Sequence, residues 1–194
     1  FKPLLPGIRF AEFNNLDSVK ALVNEKTCAI LMETIQGEGG IYPASEEFLK
    51  GVRKLCDDNG ILLMLDEIQC GMGRSGKMFA WQWYDVVPDV MTVAKALGNG
   101  VPIGAFLAKG EAAAAMVPGD HGTTYGGNPF VTAAASRVLD IFEKRDIPGH
   151  AAEIGEYLKE KLEELKSRCS LIADCRGKGL IQGVELTVPA GPVV

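Results

Sequence analysis

Two short apolar runs in the first half of the chain each lead into a charged residue. Residues 61–66 (ILLMLD) end on Asp66, and residues 90–94 (VMTVA) are followed at once by Lys95. Uninterrupted apolar runs of this length are typical of strands buried on both faces of a parallel sheet. Ligands bind outside the carboxyl ends of such strands. The pattern therefore predicts that Asp66 and Lys95 face a common crevice.

The rest of the chain alternates between strand-like and helix-like patterns up to about residue 130. Further strands are predicted at residues 8–13, 28–33, 103–108, 171–175 and 180–186. Helices are predicted from an Asp17 cap to about Asn24 and at residues 46–59, 111–116, 132–144 and 151–167, with a helical turn at 79–84. Ser45 and Gly60 suit the two ends of the second helix. This alternation predicts an α/β fold with a mostly parallel sheet, and the last two strands are assigned to a different subdomain.

Composition narrows the class of protein. The 194 residues are 47% hydrophobic and 23% charged, as in an ordinary globular protein. A net charge of −5 offers no basic surface for a nucleic acid, and no apolar run reaches the roughly 18 residues of a transmembrane helix. Five cysteines without a CxxC pair and two histidines predict no metal site, but reduced thiols in a cytoplasmic protein. The first residue, Phe1, and the final VPAGPVV segment lead us to expect cuts through a larger protein.

The two charged residues have plain and functional interpretations. An acid at a strand end is often a helix cap, and a lone lysine usually lies on the surface. Lys95, however, stands between an apolar run and the glycine turn ALGNG, which favours a pocket. A desolvated lysine can hold an aldehyde as a Schiff base, and Asp66 could hold the ring nitrogen of the same cofactor.

A phosphate-binding loop is the alternative that the GMGRSGK segment suggests, because it resembles GxxxxGK[ST]. The residue after Lys77 is Met78, so the hydroxyl that would bind magnesium is missing. The loop also follows the acidic strand directly and has no apolar strand of its own. We therefore disfavour nucleotide hydrolysis.

Two further patterns stay open on the residues alone. The TTYGGNP segment could be a simple turn, or Thr123 and Thr124 could bind a phosphate beside the helix that starts near Pro129. Arg176 in CRGKGL could be a surface charge, or it could offer a bidentate fork to a substrate carboxylate.

Five motifs together resemble the class III (subgroup II) aminotransferases, which use pyridoxal 5′-phosphate (PLP). In chain order they are ETIQGEGG, LDEIQCGMGRSGK, AKALGNGVPIGAFLA, HGTTYGGNP and RGKGL. The resemblance covers essentially the whole chain. It implies the PLP-dependent transferase fold type I, with an aspartate aminotransferase-like large-domain core at residues 1–145 and helices on both faces of its sheet. Residues 146–194 would be a linking helix and the start of a small C-terminal α+β domain.

The resemblance also implies roles for residues at the cofactor. Lys95 resembles the lysine that binds the cofactor covalently and then shuttles the substrate proton. Asp66 matches the partner of the pyridine nitrogen, and Gln69 the glutamine near the phenolic oxygen. Thr124, with Thr123 beside it, matches the threonine that reaches the cofactor phosphate of the neighbouring subunit in a homodimer.

Substrate residues follow from the same resemblance. Arg176 matches an arginine that binds the substrate α-carboxylate, and Glu38 a glutamate that can pair with that arginine. Glu33 lies in the same segment, and we expect it to support the site from behind. Such a pair would let one site accept an ω-amine and then 2-oxoglutarate.

Within the class, VPIGAFLAK most resembles the acetylornithine aminotransferases of arginine biosynthesis, with ornithine, succinylornithine and 4-aminobutyrate aminotransferases as near relatives. The resemblance has gaps. Thr34 stands where many members have proline. The upstream phosphate-binding turn, the stacking aromatic residue and a downstream substrate-binding arginine are not in these 194 residues. A second hypothesis is therefore a non-catalytic fragment or assembly subunit.

Overall fold

The computed structural model describes residues 3 and 5–193. The described strands are β1 (Ala29–Glu33), β2 (Ile35–Gln36), β3 (Tyr42–Pro43), β4 (Leu62–Asp66), β5 (Val90–Val93), β6 (Ala105–Ala108), β7 (Ile172–Lys178) and β8 (Ile181–Leu186). The described α-helices are α1 (Leu16–Leu22), α2 (Glu46–Asn59), α3 (Gly110–Ala114), α4 (Pro129–Lys144) and α5 (Ile147–Arg168). Two 3₁₀ turns, Ala80–Trp83 and Lys95–Leu97, complete the regular structure of these residues.

The central sheet has four strands in the order β1-β4-β5-β6. The first three run parallel, and β6 is antiparallel to β5. The register pairs Glu33 with Asp66 and Asp66 with Thr92. The predicted mostly parallel α/β sheet is thereby confirmed. The carboxyl ends of β1, β4 and β5 meet at one edge, as the apolar runs predicted.

Helix α2 covers one face of this sheet. Its N-terminus is capped by the Ser45 hydroxyl, which accepts a hydrogen bond from Phe48 N at 3.1 Å, and it ends at Gly60 with φ of 63°. Leu49 of α2 packs with Leu63 and Leu65 of β4 in a core where all three are 1% exposed or less. Burying each such side chain contributes about 1.5–3 kcal/mol, so this layer fixes the strand that carries Asp66.

The opposite face of the sheet is partly exposed among the described residues. Leu31 of β1 and Phe106 of β6 share this face with Asp66, because paired residues of neighbouring strands point the same way. Leu31 is 66% exposed and Phe106 is 49% exposed.

The β7–β8 hairpin forms a sheet of its own and packs beside α5. Glycines allow the closest approaches here. A side chain on Gly155 of α5 would overlap the backbone of Gly179 at the hairpin turn, and one on Gly179 would overlap the backbone of Ser75. The hairpin therefore rests on both α5 and the loop that follows β4. The expected domain boundary near residue 145 stays a prediction.

Several predicted boundaries differ from the structure. The predicted strand at residues 8–13 is wrong, because these residues form loop and turn. Asn15 rather than Asp17 caps α1, its side chain accepting from Ser18 N. Helix α4 starts at Pro129, because Asn128 provides the cap and proline suits the first helical position. The short β2–β3 pair in the glycine-rich segment was not predicted.

Candidate active site

Three charged side chains stand at the carboxyl edge of the sheet. Glu33 and Asp66 are the last residues of β1 and β4, and Lys95 follows the end of β5 by two residues. The Asp66 Oδ1 atom accepts a hydrogen bond from Ile68 N at 2.9 Å, which is the local cap that the plain interpretation expects. Its Oδ2 atom has no hydrogen-bond partner among the described residues. One carboxylate oxygen of Asp66 is therefore available for a further hydrogen bond.

Lys95 opens the 3₁₀ turn after β5 in an unusual backbone conformation. Its φ is 43°, in the left-handed region that favours glycine. The side chain is exposed within this chain, whereas the sequence pattern predicted a desolvated lysine. The expected burial is not formed, because the groove around Lys95 is open to solvent. No ion pair joins Lys95 to Asp66 within the described residues.

A groove of about 290 Å³ lies beside Lys95. Residues Ile68, Gln69, Gly71, Arg74, Lys95, Ala96, Asn99 and Gly100 line it. None of these is an acid, and two are cations, so the groove suits an anionic ligand. Sequence reasoning missed Arg74, because neither the phosphate-loop interpretation nor the family motif assigned it a role.

The structure excludes that phosphate-loop alternative. Residues 71–75 form turns, residues 76–79 form a bend, and the next element is the 3₁₀ turn Ala80–Trp83. A phosphate loop places its glycine-rich segment between a strand and the start of an α-helix, with the helix N-terminus on the phosphates. No α-helix follows Lys77 until α3.

Gln69 and Glu38 are in direct contact. The Gln69 amide donates to Glu38 Oε1 at 3.1 Å, and Glu33 accepts from Gly37 N at 2.8 Å. A side chain at Gly37 would overlap the Gln69 amide, so a larger residue there would require the Gln69 side chain to move. The glycine-rich segment after β2 is thus tied to the site at both Glu33 and Gln69.

Glu67 is a buried acid that sequence reasoning did not single out. It is 0% exposed and accepts hydrogen bonds from Thr34 Oγ1 and Ala80 N at 2.8 Å each and from Trp81 N at 3.1 Å. Burial raises the pKa of Glu67, and the donated hydrogen bonds oppose that rise. These contacts join the end of β1, the end of β4 and the following 3₁₀ turn. Glu67 thereby fixes the backbone that presents Asp66.

Arg176 lies on β7, and its guanidinium contacts protein groups on several sides. Its Nε donates to Gly40 O at 2.9 Å, and its Nη1 contacts Glu185 at 2.6 Å and Asp174 at 3.1 Å. The guanidinium carbon also lies 3.9 Å from the centre of the Tyr42 ring. The predicted pairing of Arg176 with Glu38 is not formed here.

The threonine loop stands apart from these residues. Thr123 and Thr124 are exposed, as is the neighbouring Tyr125 at 83%. The Thr123 hydroxyl accepts from Gly126 N at 3.3 Å, which closes a local turn. The predicted phosphate contact from this loop to a neighbouring subunit stays a prediction.

The family is decided by comparison with known proteins. The model of the family Aminotransferase class-III matches residues 8–192. The chain belongs to the class-III aminotransferase family. The resemblance drawn from the five sequence motifs is thereby confirmed.

Curated relatives of this class-III aminotransferase chain act on ornithine derivatives by name. The acetylornithine aminotransferase of Clostridium acetobutylicum is 49% identical over 195 residues, covering 100% of this chain and 50% of that protein. The succinylornithine transaminase of Salmonella paratyphi A is 47% identical over 186 residues, covering 96% of this chain and 46% of that protein. The chain spans about half the length of the curated relatives it matches.

Solved class-III aminotransferase structures share the fold. The N-acetylornithine aminotransferase from Stenotrophomonas maltophilia K279a has a TM-score of 0.82 at 38% identity, covering 92% of this chain and 47% of that one. The ornithine aminotransferase from Toxoplasma gondii, whose structure has partial PLP occupancy at its active site, has a TM-score of 0.91 at 33% identity, covering 96% of this chain and 44% of that one. The predicted fold type I is confirmed by these neighbours.

The donor set at the sheet edge fits PLP, the cofactor of class-III aminotransferases. Lys95 offers an exposed primary amine, and Asp66 offers a carboxylate oxygen without a partner among the described residues. Gln69 offers a side-chain amide at the groove. Residues 3 and 5–193 contain no cluster of three His, Cys, Asp or Glu side chains suited to a metal ion. No helix in this part of the chain is long and apolar enough to cross a membrane.

Proposed function

We propose that the protein to which this chain belongs is a PLP-dependent aminotransferase that transfers the ω-amino group of N-acetylornithine to 2-oxoglutarate. The observation that carries the proposal is the placement of Lys95 and Asp66 at the carboxyl ends of two adjacent parallel strands. The names of the curated relatives support an ornithine derivative as the amine donor. Ornithine, succinylornithine and 4-aminobutyrate are the alternative donors.

The residues of this chain have distinct tasks in that reaction. When bound, PLP supplies an aldehyde and an electron-withdrawing ring that stabilises a carbanion. The Lys95 Nζ atom would hold the cofactor covalently, and as a free amine it would act as the base that takes a proton from the substrate carbon bearing the transferred amino group. The Asp66 carboxylate would hold the proton of the ring nitrogen, because opposite charges favour each other's ionised forms.

The loops around the groove orient the reactants. Gln69 and Lys95 both line the groove, and the hydrogen bond from Gln69 to Glu38 fixes the orientation of the Gln69 amide. Glu33 stabilises the glycine-rich segment that carries Glu38, because it accepts a hydrogen bond from Gly37 N. The groove's cations, Lys95 and Arg74, attract anionic cofactor and substrate groups.

We further propose a cytoplasmic homodimer in which Thr124, with Thr123 beside it, contacts the cofactor phosphate of the neighbouring subunit. The full exposure of this loop supports contact with another chain. Residues 1–145 would belong to the large domain, and residues 146–194 to the linking helix and the start of the small domain. Sedimentation of the protein with and without a Thr124→Asp substitution tests the dimer, since an acid at the interface should favour the monomer.

A second candidate function is that of a non-catalytic half that assembles with complementary segments. The exposed apolar sheet face and the open groove at Lys95 favour it. Under this proposal the chain alone binds PLP weakly, and a longer protein binds it tightly. Equal PLP affinity for both would exclude it.

The cofactor lysine is tested by trapping. Purified chain is mixed with PLP, reduced with borohydride and digested, and the peptides are mapped by mass spectrometry. We expect the label on Lys95, and the Lys95→Ala variant should lose it. Lys26→Ala provides the matched control, because Lys26 is an exposed lysine remote from the sheet edge. Equal labelling of Lys26 and Lys95 would contradict the assignment.

A further inference from the structure

Arg176 joins two parts of the chain that are far apart in sequence. Its Nε donates to the carbonyl of Gly40, 136 positions away, at 2.9 Å. Its guanidinium lies 3.9 Å from the Tyr42 ring centre, which is a cation–π distance. The arginine side chain is only 15% exposed. It therefore packs against the segment that follows Glu38 rather than projecting into solvent.

Two acids of the hairpin hold the other side of the guanidinium. Nη1 contacts Glu185 of β8 at 2.6 Å and Asp174 of β7 at 3.1 Å. The Tyr42 hydroxyl also donates to Glu185, at 3.3 Å. A bidentate carboxylate needs either the Nη1–Nη2 pair or the Nε–Nη2 pair of an arginine. Each pair already has one nitrogen bound to protein, so a substrate could bind this way only by displacing Gly40 or an acid.

The backbone of the hairpin touches the same segment. A side chain carbon at Gly183 of β8 would come within 2.9 Å of Ile41 Cβ, so the two segments are in close contact. Gly40 has a φ of 113°, a conformation that glycine adopts without strain. At its other end the segment meets Gln69 through Gly37 and Glu38. A continuous set of contacts thus runs from Arg176 to the groove beside Lys95.

We propose that Arg176, with Tyr42 and Glu185, is a clamp that positions Glu38 and Gln69 at the groove, and that Arg176 does not bind the substrate carboxylate. The clamp is a positioning device for the proposed aminotransferase reaction and rests on that function. It replaces the carboxylate-binding role that the family resemblance implied for Arg176.

Glu185→Gln separates the two roles because they predict opposite signs. If Arg176 bound the substrate carboxylate, Glu185 would compete with that carboxylate, and the Glu185→Gln variant would bind carboxylates more tightly. A clamp is weakened by the same change, since the ion pair is lost. A partly exposed ion pair contributes little, so we expect both amines to bind roughly two- to fivefold more weakly to the Glu185→Gln variant.

The ligand measurement uses two amines that differ by one group. Ornithine and 1,4-diaminobutane share the ω-amine, and only ornithine carries a carboxylate. Their affinities for the PLP-loaded protein are measured with wild type, Arg176→Lys and Glu185→Gln. The clamp predicts that each variant weakens both amines by the same factor, with the Lys variant also affected because it lacks the donor to Gly40. Selective loss of ornithine binding in Arg176→Lys, or tighter ornithine binding in Glu185→Gln, would overturn the proposal.

A second readout does not depend on the cofactor. The side-chain amide resonances of Gln69 are followed by NMR in the chain without PLP. We expect them to shift and broaden in Arg176→Lys, Glu185→Gln and Tyr42→Phe, because the loop that holds Glu38 loosens. Unchanged Gln69 resonances in all three folded variants would refute the clamp. If the wild type itself binds neither amine but the Gln69 resonances shift in the variants, the proposed function fails, while the contacts from Arg176 to Gln69 are supported.

Glu164→Gln is the matched control. Glu164 pairs with Lys161 at 2.8 Å on the exposed surface of α5, so it also loses an ion pair when changed to glutamine. We expect this variant to leave both the amine affinities and the Gln69 resonances as in wild type.

Discussion

Replacing Glu67 by alanine tests the buried junction behind the candidate site. The substitution removes the acceptor for three donors, namely Thr34 Oγ1, Ala80 N and Trp81 N. Thr34 and Ala80 are both 0% exposed, so water cannot replace the lost partner without a rearrangement. We therefore expect a large loss of stability.

The size of the effect follows from the two fully buried donors. Leaving a buried donor unsatisfied costs about 1–3 kcal/mol, which gives roughly 2–6 kcal/mol for two. Removing the carboxyl also removes its own burial cost, but that relief is limited because a buried acid can take up a proton instead of staying charged. We expect Glu67→Ala to lower the free energy of unfolding by about 2–4 kcal/mol. That is a substantial part of the roughly 5–15 kcal/mol typical of a domain.

Urea unfolding followed by circular dichroism measures this change. Glu47→Ala is the control, because Glu47 is an exposed glutamate on α2, where alanine should change stability by less than about 0.5 kcal/mol. Glu67→Gln should fall between the two, since it keeps one acceptor oxygen but turns an amide donor toward another donor. If Glu67→Ala unfolds at the same urea concentration as Glu47→Ala, the junction does not stabilise the fold.

The same residue predicts a pH dependence. Burial raises the folded-state pKa of Glu67 above the unfolded value of about 4.3. Between those two values the folded protein binds more protons than the unfolded chain, so the Glu67 contribution to stability falls as pH rises. The stability difference between wild type and Glu67→Gln should therefore shrink from pH 4 upward. A difference that grows with pH would show that the hydrogen bonds outweigh burial.

Two further predictions concern packing and thiol reactivity. Gly155→Ala should destabilise the protein by about 1–3 kcal/mol in a thermal melt, because the methyl group overlaps the Gly179 backbone. This loss outweighs the better helix propensity of alanine. Gly122→Ala, with no atom near the new methyl group, should be close to neutral in the same assay. The exposed thiol of Cys28 should react with a maleimide within minutes. Cys56 should stay unlabelled until the protein unfolds, because it is buried and burial raises its pKa to about 11; simultaneous labelling of both in mass spectra would contradict this.

The sheet edge could be predicted from the sequence because its signal is local. An apolar run that ends on Asp66, followed by one that leads to Lys95, specifies two buried parallel strands and the side on which they end. Glu67 was missed although a signal exists. Leu63, Leu65 and Glu67 continue one alternation of buried positions, so the acid after Asp66 had to point into the core.

Other features could not be predicted, because their partners are distant in sequence. The contacts of Arg176 come from Gly40 and Tyr42, which no local pattern connects to β7. The exposure of Lys95 was also beyond local reasoning. Its apolar neighbours correctly predicted a strand, but the cover over a strand end depends on segments elsewhere in the protein. Sequence patterns thus predicted which edge of the sheet carries the site, but not the residues that surround it.

The backbone conformation at Lys95 lowers the stability of the fold at a position where the proposed reaction needs a lysine. A non-glycine residue at a φ of 43° costs about 1–2 kcal/mol relative to glycine. Selection for thermal tolerance alone would therefore replace this lysine by glycine or asparagine, and would remove the amine in doing so. A Lys95→Gly chain should melt at a higher temperature than Lys95→Ala. Under the proposed function, consensus or computational stabilisation of this protein should hold position 95 constant, because glycine there would remove the amine that the reaction needs.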